Sequence, residues 1–262
     1  RYQVVGGLLQ RPYTYGGTDV FIEFRGNDLI ASRATIDNVP YVMVNGVADT
    51  RNGVTQLTPS DFATAKTLNT GWYIMSGSGN INGSNVVING DVNLILEEGV
   101  TLTLTNGITV PAGSNLSVYS QPDTNFAETL TSTAAGSAIT LNNGSSFTNT
   151  AKILSPPASS AGAYVINATG SSVFVLNGIT GTIDGGVNSA VYLGGANSKL
   201  NNYGMISSPG DGATTNGRGV TIDGAGIVIN NFANKTTTED STWTFPASYT
   251  GTIKGGSTSY GI

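Results

Sequence analysis

The sequence predicts an all-β solenoid, a parallel β-helix with an N-terminal capping region, and three observations lead there. One phrase recurs, as Ala138-Ile-Thr-Leu141, Tyr164-Val-Ile166, Ala190-Val-Tyr-Leu193 and Gly219-Val-Thr-Ile222. Steps of 25, 27 and 29 residues separate Leu141, Ile166, Leu193 and Ile222, a period typical of stacked repeats. Within each phrase apolar residues alternate with Thr, Asn, Ser or Tyr, which is strand spacing; no copy keeps the helical spacing, so helical repeats are excluded. Each phrase then leads to an asparagine step: Phe147-Thr-Asn149, Val175-Leu-Asn177, Leu200-Asn-Asn202 and Ile229-Asn-Asn231. Stacked one above another, these amides are expected to form a hydrogen-bonded ladder at a turn. A second apolar position follows, as Ile153, Ile179 or Ile183, and Ile206.

Residues 1–70 are expected to be the cap with the first strands, and 71–262 the coils. Thr18-Asp-Val-Phe-Ile-Glu-Phe24 alternates as a strand, Arg11 to Gly17 reads as a loop, and Val39 to Val47 holds a strand ending at the turn pair Asn45-Gly46. Thr58 to Lys66 has a capping residue and helix-tolerant side chains, so a short helix is expected there. An open solenoid end exposes strand edges and apolar interior, which is the reason for expecting a cap. From Gly71, six short strands are expected: Trp72 to Met75, Asn85 to Ile88, Val92 to Leu96, Val100 to Leu104, Ile108 to Val110 and Leu116 to Tyr119. Glu97 to Gly99 and Pro111 to Asn115 supply corners, while Trp72 and Tyr73 are expected to cover the first coil beside the cap. Insertions protruding from corners are expected near 121–135, 155–162 and 235–250, where the rhythm breaks.

Composition narrows the functional classes. With 36 Gly, 10% charged residues and 39% hydrophobic residues the chain departs from an ordinary globular composition, yet its apolar residues are patterned and disorder is not expected. The net charge is −5 and residues 67–151 contain no Lys or Arg, so a phosphate backbone meets no basic stripe and nucleic acid is not an expected partner. No apolar run of about 18 residues is present to span a bilayer as a helix, so this segment is not expected to be membrane-embedded. The chain opens on Arg1 without a signal-like stretch and closes on Tyr260-Gly-Ile262 in mid-repeat, which suggests a processed or excised piece of a longer protein.

The phrases from Asn188 to Ile206 and Gly251-Thr-Ile-Lys-Gly-Gly256 resemble the degenerate repeats of bacterial autotransporter passenger domains, in the pertactin-like and self-associating adhesin branch. The shared pattern is an apolar triplet, a Gly or Ser turn, an asparagine step and a Gly-Thr-Ile-Gly type closure. The resemblance covers residues 136–262 well and 71–120 loosely, and does not cover 1–66. It implies a right-handed parallel β-helix, exported across an outer membrane by a C-terminal barrel, that serves adhesion, self-association or biofilm formation at the bacterial cell surface. A two-partner secreted haemagglutinin has a similar β-helix, but its Asn-Pro-Asn signature does not occur here.

Catalytic chemistry finds few residues to use. The chain has no His and no Cys, so neither a Ser-His-Asp nor a Cys-His site can be assembled, and histidine or thiolate zinc sites fall with them. β-Helical lyases and hydrolases work with carboxylate clusters, and Asp184, Asp211 and Asp223 near repeat corners are the residues such a site would need; aspartate before glycine is more often a turn residue. No EF-hand or Gly-Gly-x-Gly-x-Asp repeat is present to bind calcium, and no cofactor or metal is expected. Gly210 to Gly219 lacks a following helix and so lacks a phosphate cradle. The sequons at Asn82, Asn115, Asn143, Asn167 and Asn234 are candidate sugar acceptors. Trp243, Phe245 and Tyr249 are the candidate binding residues, since an insertion bearing aromatics stands out on a Ser/Thr/Asn surface; the rival reading folds them back over a flank. The expected function is that of a non-enzymatic adhesin passenger whose partners are a host glycan, a matrix protein or another copy of itself. A polysaccharide lyase or hydrolase and a phage-tail or structural spacer are the alternatives.

Overall fold

A computed structural model describes residues 35–81, 85–122, 127–133, 136–155, 164–186, 189–209, 217–232 and 251–255, together with the backbone of four strands between Gln3 and Arg33. Among these residues the chain is all-β, and its one helical element is the 3-10 turn Pro59–Phe62. The helix expected from Thr58 to Lys66 is thus a single turn, held where the Thr58 N–H donates to Asp61 Oδ2 at 2.7 Å. It cannot extend, because Lys66 already enters a strand.

Parallel strands stack in three columns. The first holds Ile108–Val110, Ile139–Leu141, Tyr164–Ala168, Ser189–Leu193 and Val220–Ile222. Asn115–Ser120, Ser146–Asn149, Phe174–Asn177, Lys199–Asn202 and Val228–Asn231 form the second. Two long strands, Lys66–Met75 and Val86–Leu96, each run through both columns and join them into one sheet. The third column is a separate 7-stranded sheet from Gly79–Ile81 to Thr252–Lys254. The chain visits the columns in the same order in every round.

An inward row of aliphatic side chains runs down each column. Val86, Ile108, Ile139, Ile166, Val191 and Val220 are in register in the first. Val92, Leu116, Phe147, Val175, Leu200 and Ile229 follow in the second, and Leu102, Leu130, Ile153, Ile183, Ile206 and Ile253 in the third. The three rows share one core. Each fully buried side chain of this size contributes about 1.5–3 kcal/mol, so the stack is held mainly by these rows.

Several expectations shift in detail. The first ladder strand starts at Lys66 rather than Gly71, and the two strands expected at Asn85 to Ile88 and Val92 to Leu96 are one strand with a bulge between Asn89 and Val92. Leu141 aligns with Ala168 and Leu193, whereas Ile166 sits one step earlier beside Ile139. Alanine fills the inward position that the apolar phrase had assigned to isoleucine. The insertion expected over 121–135 contains a third-column strand, Thr129–Ser132. Those expected at 155–162 and 235–250 lie almost wholly outside the described residues.

The N-terminal region has three parts. Gln3–Val5, Leu8–Tyr15, Thr18–Arg25 and Asp28–Arg33 form an antiparallel sheet, so most of the loop expected at Arg11 to Gly17 is strand. Val54–Leu57 lies parallel on Lys66–Met75 and is covered in turn by Thr35–Ile36, which closes that edge of the second column. Leu57 and Phe62 are buried in the core that the three rows share. The hairpin of Val39–Val42 with Ala48–Arg51 does something else. Instead of covering the end, it runs along the outer flank of the second column. Val39 and Tyr41 pack on Ile74, Ile95 and Tyr119, and its tip residue Val44 packs with Leu176, Tyr203 and Phe232. Polar contacts fix it: Thr150 Oγ1 donates to the Val42 carbonyl at 2.9 Å and the Ile179 N–H to the Val44 carbonyl at 3.0 Å.

Candidate binding surface

The aromatic residues singled out in the sequence, Trp243, Phe245 and Tyr249, lie outside the described residues. Of the three aspartates a carboxylate site would need, Asp211 also lies outside. Asp184 Oδ1 accepts the Gly186 N–H at 2.9 Å, a turn bond made possible by the left-handed Gly186 at φ 55°. Asp223 Oδ2 instead accepts the Tyr192 hydroxyl at 3.1 Å. The two belong to different columns, Asp184 to the third and Asp223 just beyond the first-column strand Val220–Ile222. Among the described residues no group of three metal-binding side chains comes together.

Aromatic contacts divide into covered and open ones. Trp72 stacks on Tyr119 at 5.6 Å, Tyr41 closes over both, and Arg51 sits 5.0 Å above the Trp72 ring. Tyr203 stacks on Phe232 at 4.5 Å beside Val44. Both groups lie along the flank that the hairpin occupies, and their work is to pack it. Trp72 therefore sits under the hairpin, as a covering side chain.

The open pair is on the outer face of the first column. Its outward row reads Thr109, Thr140, Asn167, Tyr192, Thr221, all half-buried and uncharged. Tyr164, from the start of its strand, leans across and stacks on Tyr192 with ring centroids 4.6 Å apart and planes 24° from parallel. The bond to Asp223 ties the Tyr192 ring to the next round and holds its phenol above the ordinary tyrosine range. Gly194 makes room beneath, since a Cβ there would collide with the Tyr192 ring. Two oxygens in the row, Asn167 Oδ1 and Thr221 Oγ1, are shut off from solvent and have no hydrogen-bond partner among the described residues.

This cluster offers an aromatic surface, a carboxylate, an amide and hydroxyls held by packed strands. Such a set offers stacking, donor and acceptor contacts to a ligand. Sequence reasoning missed it because Tyr164 and Tyr192 fell inside ladder phrases and were counted with the strand pattern. The available signal was the phase: Tyr192 lies between Val191 and Leu193, so alternation puts it outside. Comparison with known proteins identifies no matching family model, no curated protein and no solved structure.

Proposed function

We propose that the three columns close into a right-handed parallel β-helix, and that this chain is the passenger segment of a bacterial cell-surface adhesin serving adhesion, self-association or biofilm formation. The single observation that carries the reading is the outer row of the first column: an uncharged, regularly spaced line of Thr and Asn side chains with a stacked, half-buried tyrosine pair. Such a face suits many weak contacts that add up by repetition, and it places few charges in the way of an approaching surface. The ligands in view are a host glycan, a matrix protein or a second copy of the chain, met outside the cell. The reading as a polysaccharide-degrading enzyme draws no support from Asp184 and Asp223, which lie on separate columns. The resemblance of the repeats to autotransporter passengers supports the exported location.

Beads coated with the purified chain provide the test. They are expected to clump with one another or adhere to cells or matrix, and Tyr164→Ala should cut retention about tenfold. Beads that stay dispersed and adhere to nothing, with a monomer in the ultracentrifuge at every concentration, would remove the proposal.

A further inference from the structure

Asn167 Oδ1 and Thr221 Oγ1 are buried without partners among the described residues, and they occupy the two places next to Tyr192 in one row, because the register runs Asn167, Tyr192, Thr221. A buried acceptor with no donor is costly, and a fold that keeps two such atoms side by side calls for an explanation. The side chain that stands between them in the row is Tyr192. The Tyr192 ring is held there by a stack on Tyr164 and a hydroxyl bond to Asp223 at 3.1 Å, both at the surface of the molecule. Gly194 beneath provides no side chain to lock it.

We propose that Tyr192 is a movable cover over a saccharide subsite: when the ring swings aside, the hydroxyls of a neutral sugar bond to Asn167 Oδ1, Thr221 Oγ1 and the Asp223 carboxylate. This rests on the adhesive reading above and assigns the ligand class to it. The chemistry of the uncovered groups selects the ligand. Asn167 Oδ1 and Asp223 only accept, and the Thr221 hydroxyl does either, so the ligand must be rich in donors. Sulfate, phosphate and carboxylate bring acceptors and the same charge sign as Asp223, which excludes acidic glycans. A pyranose also carries a C–H face, and displacement of Tyr192 bares the face of Tyr164 on which it stacked. Beyond the subsite, Thr140 and Thr109 continue the row at a strand spacing of about 4.8 Å, placing hydroxyls along the path of a longer glycan.

The experiment screens the purified chain on an array of neutral and acidic glycans and follows the bound neutral sugars by calorimetric titration of variants. Asn167→Ala and Thr221→Val each delete one of the unpartnered oxygens. They are expected to weaken the sugar at least about tenfold while leaving the melting temperature unchanged or higher, a pairing that a merely structural role does not produce. Tyr192→Phe, which loses its hold on Asp223, should bind at least as tightly as the parent. Binding of acidic glycans alone, or unchanged affinity in Asn167→Ala and Thr221→Val, overturns the subsite. If the parent chain adheres to cells or matrix yet binds no neutral glycan, the subsite falls and the adhesive reading stands; if it adheres to nothing, both fall.

Discussion

Asn177 is fully buried and spends its whole amide inside the stack. Its Nδ2 donates to Asn202 Oδ1 at 2.8 Å and to the Gly181 carbonyl at 3.1 Å, and its Oδ1 accepts from Asn149 Nδ2 at 2.9 Å. Asn202 repeats the pattern, donating to Asn231 Oδ1 at 2.7 Å and to the Gly204 carbonyl at 3.1 Å. Each amide thus stitches one round to the next and closes the tight corner of its own round. Replacing Asn177 by Leu keeps the volume but leaves Asn202 Oδ1 without its donor, while Asn149 Nδ2 keeps the Ala151 carbonyl and the Gly181 carbonyl keeps the Met205 N–H; urea unfolding is expected to show a loss of about 2 kcal/mol. The exposed pair Asn89 to Asn69, with Asn89 Nδ2 donating to Asn69 Oδ1 at 2.8 Å, is the control: Asn89→Ala should cost under about 0.5 kcal/mol. Equal losses at the two sites would mean the buried ladder has no special role. Glycines beside these amides serve close approach. A Cβ on Gly204 would strike the Gly181 and Gly178 carbonyls of the round above, and one on Gly195 would strike that of Gly170. None of these three contacts involves a left-handed backbone, unlike Gly99 and Gly113 at the other corners.

At the scale of the element, the hairpin from Val39 to Arg51 decides which part of the outer surface is open. It lies on the second column, so the first column's outer row is the face left to solvent with an aromatic pair on it. Its attachment is expected to weaken at alkaline pH. Burial, with the Tyr41 hydroxyl bonded to Asp49 Oδ2 at 2.9 Å, pushes the Tyr41 phenol up from 10.0 to about 12. The fold holds the neutral phenol, so this contribution is complete below pH 10, the unfolded value, and is lost as pH rises towards about 12. Hydrogen exchange in Val39 to Arg51 is expected to accelerate over that window while the inner ladder strands stay protected. Tyr41→Phe, with no proton to lose, should flatten the dependence; an identical alkaline profile in this variant would assign the effect to other tyrosines, of which Tyr73 and Tyr119 are also raised by burial.

For the molecule as a whole, each round contacts its two neighbours, and stability is close to a sum over neighbouring rounds. Val191 and Val220 occupy equivalent places in the first column. Deleting residues 191–219 therefore removes one full round and brings Val220 onto Ile166, with inward and outward positions preserved. The shortened chain is expected to keep its β circular-dichroism spectrum and a single unfolding transition at somewhat lower temperature. A deletion shifted by one residue turns every side chain of the next strand to the opposite face and should give an aggregated or unfolded product. If both deletions behave alike, the registered stack is not what holds the chain together.

What the sequence settled by itself is everything that depends on period and phase. Apolar alternation and a recurrence of 25 to 29 residues are consequences of strands lying over strands, so they are written into every copy, and the Asn149, Asn177, Asn202, Asn231 ladder could be read residue by residue. Where two positions competed, packing chose: Ile183 joined the inner row, while Ile179 turned outward to meet the hairpin tip. The route of that hairpin was not legible, because Val44 and Ile179 are far apart in sequence and neither repeats. The same holds for the tyrosine cluster. Tyr164, Tyr192 and Asp223 come from three successive rounds, and only stacking brings a ring, a second ring and a carboxylate to one spot. A repeat fixes what each round shares with the next; a site made from the differences between rounds exists only once they are laid on top of one another.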